Sequence, residues 1–250
     1  MSRYYLIGKL MPIAASIYNN NYLLIIMNSI NQSNIEIICC ELSNPITEVD
    51  DKLMSLISTE KRRNLENRKN LTNKKLSLYG ELFVRHYIVS RRNIKNCDIR
   101  FEKNEYGKLY LADLQDLYFN ISHSQNAVVV AFSRHENGID IEKIRNINLK
   151  IADHCLSIEE NEYIRNSRKQ LSSFWEIWTK KEAYLKYVGV GIVNRLMTFN
   201  VLNNQINSII HTMKYNQFII SCCCTENERT IPSLQIVSES DVDEMFAEIC

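Results

Sequence analysis

The sequence predicts an α/β (α+β) protein built from two similar halves, and three observations point that way. Short runs rich in Ile, Val, Phe and Cys alternate with longer segments whose apolar residues recur at helical spacing. A weak internal echo pairs Gly80-Glu81-Leu82-Phe83-Val84-Arg85 with Lys181-Glu182-Ala183-Tyr184-Leu185-Lys186. Each carries an acid and a base four apart on a long helix that follows a strand and a helix. No Pro/Gly-rich linker divides the 250 residues, so the join is placed near Arg134 to Gly138. The echo is too short to prove duplication, but it favours two α/β halves over one continuous wound sheet. The expected organisation is an extension over residues 1–33, a first half over 34–134, and a second half over 135–250 that carries the chemistry.

The elements follow in order. Residues Met1 to Ser33 are Asn-rich and lack the basic flank, apolar core and cleavage site of a secretory signal. They read as a loosely specified extension, with Met27 an alternative start and Tyr22 to Met27 a run that packs as an added strand if it packs at all. Ile35 to Leu42 is Ile- and Cys-rich and is stopped by Ser43-Asn44-Pro45, which predicts a strand. Val49 to Ile57 has helical spacing, Ser58-Thr59 caps a helix opening at Glu60, and Leu71 to Arg92 is a long amphipathic helix. Tyr106-Gly107 breaks the chain before Lys108-Leu109-Tyr110-Leu111. Strands are expected at Phe119 to Ile121 and Ala127 to Phe132, around a polar turn Ser122 to Asn126, and a third at Gly138 to Glu142. Ser157-Ile158-Glu159-Glu160 starts a capped helix, and Phe174 to Val188 is helical until Gly189-Val190-Gly191 ends it. The last sixty or so residues alternate short β-like runs with polar turns.

Composition narrows the class. A net charge of +1 argues against bulk attraction to nucleic acid or membrane, so any anion site must be local. No apolar run approaches the ~18 residues of a membrane helix. The eight cysteines occur as Cys39-Cys40, Cys222-Cys223-Cys224 and three scattered residues, without CxxC spacing, and read as reduced cytoplasmic thiols. The triple cysteine, following Phe218-Ile219-Ile220, reads as an apolar strand, since a free thiol behaves as a small hydrophobe.

Two segments carry chemistry. In a strand, alternate side chains share a face, so Asp140 and Glu142 of Gly138-Ile139-Asp140-Ile141-Glu142 point one way while Ile139 and Ile141 point into a core. The alternative is the wet face of an edge strand. In Trp178-Thr179-Lys180-Lys181-Glu182-Ala183-Tyr184-Leu185-Lys186, Glu182 and Lys186 are one helical turn apart and border the apolar stripe of Phe174, Trp178 and Leu185. Their alternative is a surface ion pair worth roughly 0.3–0.5 kcal/mol. Mg²⁺ takes oxygen ligands from a few carboxylates, waters and substrate phosphates, so this set suits a metal held against a phosphate. Ser122 and His123, within Asn120-Ile121-Ser122-His123-Ser124, sit at a strand end where an anion can bind, or where a Ser-His pair only bonds locally. Lys61-Arg62-Arg63 and Lys74-Lys75 read by default as solvated helix faces.

The ordered set Gly107-Lys108, Asn120 to Ser124, Gly138 to Glu142 and Phe174 to Lys186 resembles the 4′-phosphopantetheinyl transferase superfamily, in its larger surfactin-synthetase-activating type. The resemblance runs from about Ile35 to the C-terminal strands. It implies a pseudo-dimer of two subdomains, each a small, mostly antiparallel sheet packed with helices, with the active site in the cleft between them. It also implies transfer of the 4′-phosphopantetheine arm of coenzyme A to a serine of an apo acyl, peptidyl or aryl carrier domain, with Mg²⁺ on the pyrophosphate and adenosine 3′,5′-bisphosphate released. By position, Asp140, Glu142 and Glu182 would be metal ligands and Lys186 would lie near the pyrophosphate. Lys61, Ser77, Lys108, Ser122 and His123 would contact coenzyme A. Where close relatives carry a second basic residue one turn after Lys61 this chain has Asn64, leaving Arg63 or Arg68 to grip the 3′-phosphate.

Attack of a hydroxyl on a phosphoric anhydride needs charge neutralisation and in-line positioning more than a protein nucleophile. Glu182 is the leading acceptor of the serine proton, directly or through a water, with Lys186 assisting the leaving phosphate; the sequence leaves the base open. The family analogy implies a cytoplasmic monomer serving secondary-metabolite synthases. Two other readings stand beside it: a Mg²⁺-dependent phosphohydrolase using the same carboxylates, and a non-catalytic coenzyme A or carrier-binding module.

Overall fold

Strands buried on both faces set the architecture. The computed structural model describes residues 35–43, 51–190, 196–225 and 231–249, so the expectations for the extension, including Tyr22 to Met27, lie outside the described residues. Strand β1 (Ile35–Glu41) is followed by helices α1 (Asp51–Ser55), α2 (Thr59–Glu66) and α3 (Leu71–Arg92), then β2 (Phe101–Lys103), β3 (Leu109–Leu111), β4 (Tyr118–Ser124) and β5 (Ala127–Ser133). The remainder comprises β6 (Asn137–Lys143), α4 (Ala152–Cys155), α5 (Ile158–Asn166), α6 (Gln170–Val188), α7 (Asn204–Asn207), β7 (Ile210–Tyr215), β8 (Phe218–Cys224), β9 (Ser233–Val237) and α8 (Glu239–Ala247).

One sheet has the order β4-β5-β1-β9, a second β6-β8-β7, and β2 and β3 form a separate hairpin. Three apolar clusters layer them. Alternate residues of the first sheet, such as Cys40, Val128, Val130 and Phe132, pack on α3 through Leu82 and Phe83. Their neighbours Ile37, Val129 and Ala131 meet Ile139, Ile141, Phe218 and Ile220 of the second sheet. On its far side Ile219 and Cys223 pack on Phe174, Trp175 and Ile177 of α6. The order is therefore helix, sheet, sheet, helix.

This layering explains the cysteines. Strand β8 is central in its sheet and covered on both faces, so Cys222, Cys223 and Cys224 are all buried, and none forms a disulfide. Burial pushes the Cys222 and Cys223 thiols well up, and Cys39 and Cys40 up to about 12. They pack as hydrophobes.

Helix ends follow local chemistry. Ser58 accepts from Lys61 N at 3.2 Å, Asn70 accepts from Asn73 N at 2.9 Å, and Ser157 with Glu160 forms a reciprocal capping box. Gly189, at φ 74°, closes α6 in the left-handed conformation that a residue with a Cβ rarely adopts. Two expectations change. Strand β4 runs through Ser122 and His123 to Ser124, and the turn is only Gln125-Asn126, with Gln125 at φ 55°. The C-terminal region also contains the helix α8, whose Val242 and Phe246 bury against α3 rather than following a β pattern. The chain beyond β8 crosses between the sheets: β9 pairs in parallel with β1, matching Ile37 with Leu234. The tail returns to the first sheet because Val237, Val242 and Phe246 complete the apolar layer over α3.

Candidate active site

Asp140 and Glu142 stand on β6, an edge strand of its sheet, which also contacts two other elements, β4 and α6. Their strand neighbours Ile139 and Ile141 are buried between the sheets, so the carboxylates point the other way, as strand alternation requires. Gly138 shares the face of Asp140 and Glu142, and it touches α6. A Cβ there would lie 2.1 Å from Ala183 O and 2.3 Å from Tyr187 N. Only glycine allows this approach, which brings the carboxylate strand onto the helix turn carrying Glu182 and Lys186.

Lys186 pairs with Asp140, not with Glu182 one turn earlier. Its Nζ is 2.7 Å from Asp140 Oδ1, 2.9 Å from Ser122 Oγ and 3.1 Å from Ile139 O. Ser122 also donates to Asp140 Oδ1 at 2.8 Å. Asp140 is buried, which raises its carboxyl above the usual range, with Lys186 and Ser122 opposing. Its Oδ2 is buried without a hydrogen-bond partner. Burial, then the nearby Asp140 and Glu142 charges, push the Glu182 carboxyl up to about 7 against the opposing pull of Lys186. Glu142 is turned toward Ser124 Oγ at 2.5 Å and Arg145 Nη1 at 2.8 Å. The Arg145 guanidinium in turn lies over Trp175, 4.1 Å from the ring centroid.

The three carboxylates sense one another without forming a closed cage. Among the described residues no three His, Cys, Asp or Glu side chains stand at metal-holding spacing; Lys186 and Ser122 share Asp140 Oδ1, and Ser124 and Arg145 share Glu142 Oε2. The donor set nevertheless suits a hard divalent ion: one orphaned buried carboxylate oxygen, a second acid raised by burial and then by its anionic neighbours, and a third at the rim.

A basic wall adjoins this set. His123 lies on the opposite face of β4 from Ser122; burial lowers its pKa, helped by the cations Lys186, Arg68 and Lys61. Lys61 is also lowered by burial; Glu81 opposes this, 3.6 Å away, while Arg68 and Lys103 add to the lowering. Lys61 thus turns inward from a face expected to be solvated. Of the two candidates to replace Asn64, Arg68 stands within electrostatic reach of both Lys61 and His123. Ser77 is half-buried on α3, one turn before Gly80, whose Cβ would lie 2.7 Å from Ile121 of β4.

Lys108 is placed elsewhere. Its Nζ contacts Glu136 Oε2 at 2.5 Å and Asn137 O at 3.1 Å, at the start of β6 and away from the carboxylate cluster. Lys181, inside the same motif as Glu182, is fully buried 2.8 Å from Glu160 and donates to Phe199 O at 2.6 Å. It ties α5 and α6 together. Sequence reasoning missed Asn120, Ser124, Gly138 and Arg145, and the signal available for the first two was the period-two spacing of Asn120, Ser122 and Ser124.

In the internal echo, Glu81 and Arg85 form a buried pair at 2.9 Å. The two halves differ at this position: the first-half acid is neutralised by Arg85 and Lys61, whereas Glu182 faces other acids.

Comparison with known proteins adds the following. Residues 136–235 match the 4′-phosphopantetheinyl transferase superfamily, and residues 44–135 match the family described as 4′-phosphopantetheinyl transferase, N-terminal. The chain is 41% identical over 182 residues to the 4′-phosphopantetheinyl transferase gsp of Aneurinibacillus migulanus, covering 71% of this chain and 75% of that protein. It is 36% identical over 160 residues to the 4′-phosphopantetheinyl transferase Sfp of Bacillus subtilis strain 168, covering 63% of this chain and 71% of that one. The 4′-phosphopantetheinyl transferase ffp of Bacillus subtilis is 34% identical over 165 residues, covering 64% and 73%.

Proposed function

This chain belongs to the 4′-phosphopantetheinyl transferase superfamily, of the surfactin-synthetase-activating type, and from that premise we propose how its own residues carry the reaction. It is a transferase that moves the phosphopantetheine arm of coenzyme A to carrier proteins. The serine oxygen of the carrier forms a bond to the β-phosphorus of coenzyme A, the anhydride bond breaks, and adenosine 3′,5′-bisphosphate leaves with the electron pair.

Asp140, Glu142 and Glu182 would hold Mg²⁺. When bound, the ion supplies charge neutralisation at the pyrophosphate. The observation that carries this assignment is the orphaned Asp140 Oδ2 beside a Glu182 carboxyl held near 7. Glu182, the buried acid that bears on both Asp140 and Glu142, is assigned the proton of the attacking serine, directly or through a water. Lys186 lies one hydrogen bond from Asp140 and Ser122 and would turn to the phosphate oxygens. Lys61, His123 and Arg68 form the basic wall for the 3′-phosphate, Ser77 flanks it, and Ser122 both orients Asp140 and faces the substrate. Lys108, held at Glu136, would meet coenzyme A only at the periphery.

The same reading places the protein in the cytoplasm as a monomer acting on acyl, peptidyl or aryl carrier domains of secondary-metabolite synthases. Among the described residues no helix is long and apolar enough to cross a membrane. A phosphohydrolase would use the same acids on water, but the family match runs through both halves. The test is incubation with coenzyme A, Mg²⁺ and a panel of apo carriers, read by mass spectrometry. The carrier should gain the mass of the arm with wild type and not with Asp140→Ala. Hydrolysis of coenzyme A without carrier modification, or full activity in Asp140→Ala, would reject the assignment.

A further inference from the structure

Strands β4 and β6 run side by side in the same direction at the junction of the two sheets, yet they belong to different sheets and share no backbone ladder. Side chains join them instead. Asn120 Oδ1 accepts from Ile139 N at 3.1 Å, Ser122 Oγ donates to Asp140 Oδ1 at 2.8 Å, and Ser124 Oγ donates to Glu142 Oε2 at 2.5 Å. Ser124 Oγ also accepts from Lys143 N at 3.4 Å. Every second residue of Asn120-Ile121-Ser122-His123-Ser124 therefore bonds β6. All three are buried, with 9%, 7% and 7% exposure; the Asn120 and Ser122 bonds are buried and the Ser124–Glu142 bond is part-buried.

From this alignment we infer that Ser124, acting through Glu142, is a positioning residue for the metal-binding carboxylates, with Asn120 setting the register of the two strands. A lone rim carboxylate in water samples several rotamers. Glu142 is restrained at one oxygen, Oε2, which accepts from both Ser124 and Arg145, the latter stacked on Trp175. Hydrogen bonds that orient a ligand carboxylate are the outer shell of a metal site, and their loss commonly weakens metal affinity tenfold or more. Asn120 serves differently: its amide oxygen replaces a ladder carbonyl for Ile139 N, one residue before Asp140. The inference rests on reading Asp140 and Glu142 as metal ligands, and the experiment separates the two.

Ser124→Ala removes one oxygen from a strand residue and leaves the backbone ladder with β5 intact, so it should fold. Mn²⁺ binding is measured by electron paramagnetic resonance on wild type, Ser124→Ala, Ser124→Thr and Glu142→Ala, with melting temperature and metal-free coenzyme A binding read on each. Ser124→Ala should bind Mn²⁺ about tenfold more weakly, with coenzyme A binding unchanged and the melting temperature within a few degrees of wild type; Ser124→Thr, which keeps the hydroxyl, should recover most of the affinity. Unchanged Mn²⁺ affinity in Ser124→Ala while Glu142→Ala loses it would overturn the inference alone. Equal Mn²⁺ binding by wild type and Glu142→Ala would overturn the metal reading beneath it. A collapse in melting temperature, or parallel loss of coenzyme A binding, would make Ser124 a structural or substrate-contact residue and also overturn the inference.

Discussion

Gly138 of β6 sits so close to Ala183 of α6 that a Cβ on the glycine would lie 2.1 Å from the Ala183 carbonyl oxygen. The contact is with backbone, which cannot swing aside as a side-chain tip can. It fixes the separation between the strand bearing Asp140 and the helix bearing Glu182 and Lys186.

Gly138→Ala should therefore damage activity more than stability. Forcing a methyl against helix backbone costs about 1–3 kcal/mol or more. Because the strand must move away from α6, and a displacement near 1 Å can cost about 100-fold in rate, kcat should fall by about that factor. Chemical denaturation and steady-state transfer assays check both. A variant that melts early but turns over normally would show that the contact supports only the fold.

Glu182 should give the metal-free protein a distinctive pH dependence. Its carboxyl is raised from 4.5 to about 7 in the folded state. Between these values the native protein binds more protons than the unfolded chain, so stability falls as pH rises through the window and levels off above it. The loss is about 2–3 kcal/mol between pH 5 and 7.5, or roughly 5–10 °C in melting temperature. Glu182→Gln should flatten most of this slope, leaving the part due to Asp140, which is also raised. Melting curves in chelator at both pH values check it, and equal slopes in the two proteins would contradict the assignment.

Lys61→Ala and His123→Ala should weaken coenzyme A binding by about 10- to 100-fold, the range expected for charge-assisted contacts of about 1.5–3 kcal/mol. The loss should be smaller for 3′-dephospho-coenzyme A, measured by calorimetry. Arg68→Ala should behave like these two, since Arg68 shares their electrostatic neighbourhood. Arg63→Ala should not. Equal losses for both ligands would move these side chains away from the 3′-phosphate.

Lys181→Met should destabilise the fold by about 3–5 kcal/mol, because it strands a fully buried Glu160 without its cation. The folded fraction should keep near-normal turnover, since Lys181 bonds Phe199 O and Glu160 rather than the carboxylate cluster. A Tm scan with an active-site titration distinguishes this from a catalytic lysine, whose loss would abolish turnover at unchanged Tm.

Much was legible wherever the signal lay within a few residues. The helix Leu71–Arg92, the capping box at Ser157, the stop at Gly189 and the shared face of Asp140 and Glu142 follow from helical spacing, side-chain caps, glycine conformation and strand alternation. The ordered motifs contain Asp140, Glu142, Glu182 and Lys186, four side chains that the fold brings near one another. By contrast, α8 was hidden because its buried residues Val242 and Phe246 are few and follow a run of β-like segments.

What the sequence by itself determined was the chemistry available: which acids, cations and hydroxyls exist, and which share a strand or helix face. Only the tertiary structure decided how they pair. Lys186 reaches Asp140 across 46 residues rather than Glu182 one turn away, and Ser124 reaches Glu142 across 18. Lys108 is drawn to Glu136 instead of the carboxylates, and β9 crosses back to β1. The physical reason is range. Caps and periodicity depend on covalent neighbours, whereas these pairings depend on how closely layers pack, here on a glycine with no Cβ between a strand and a helix.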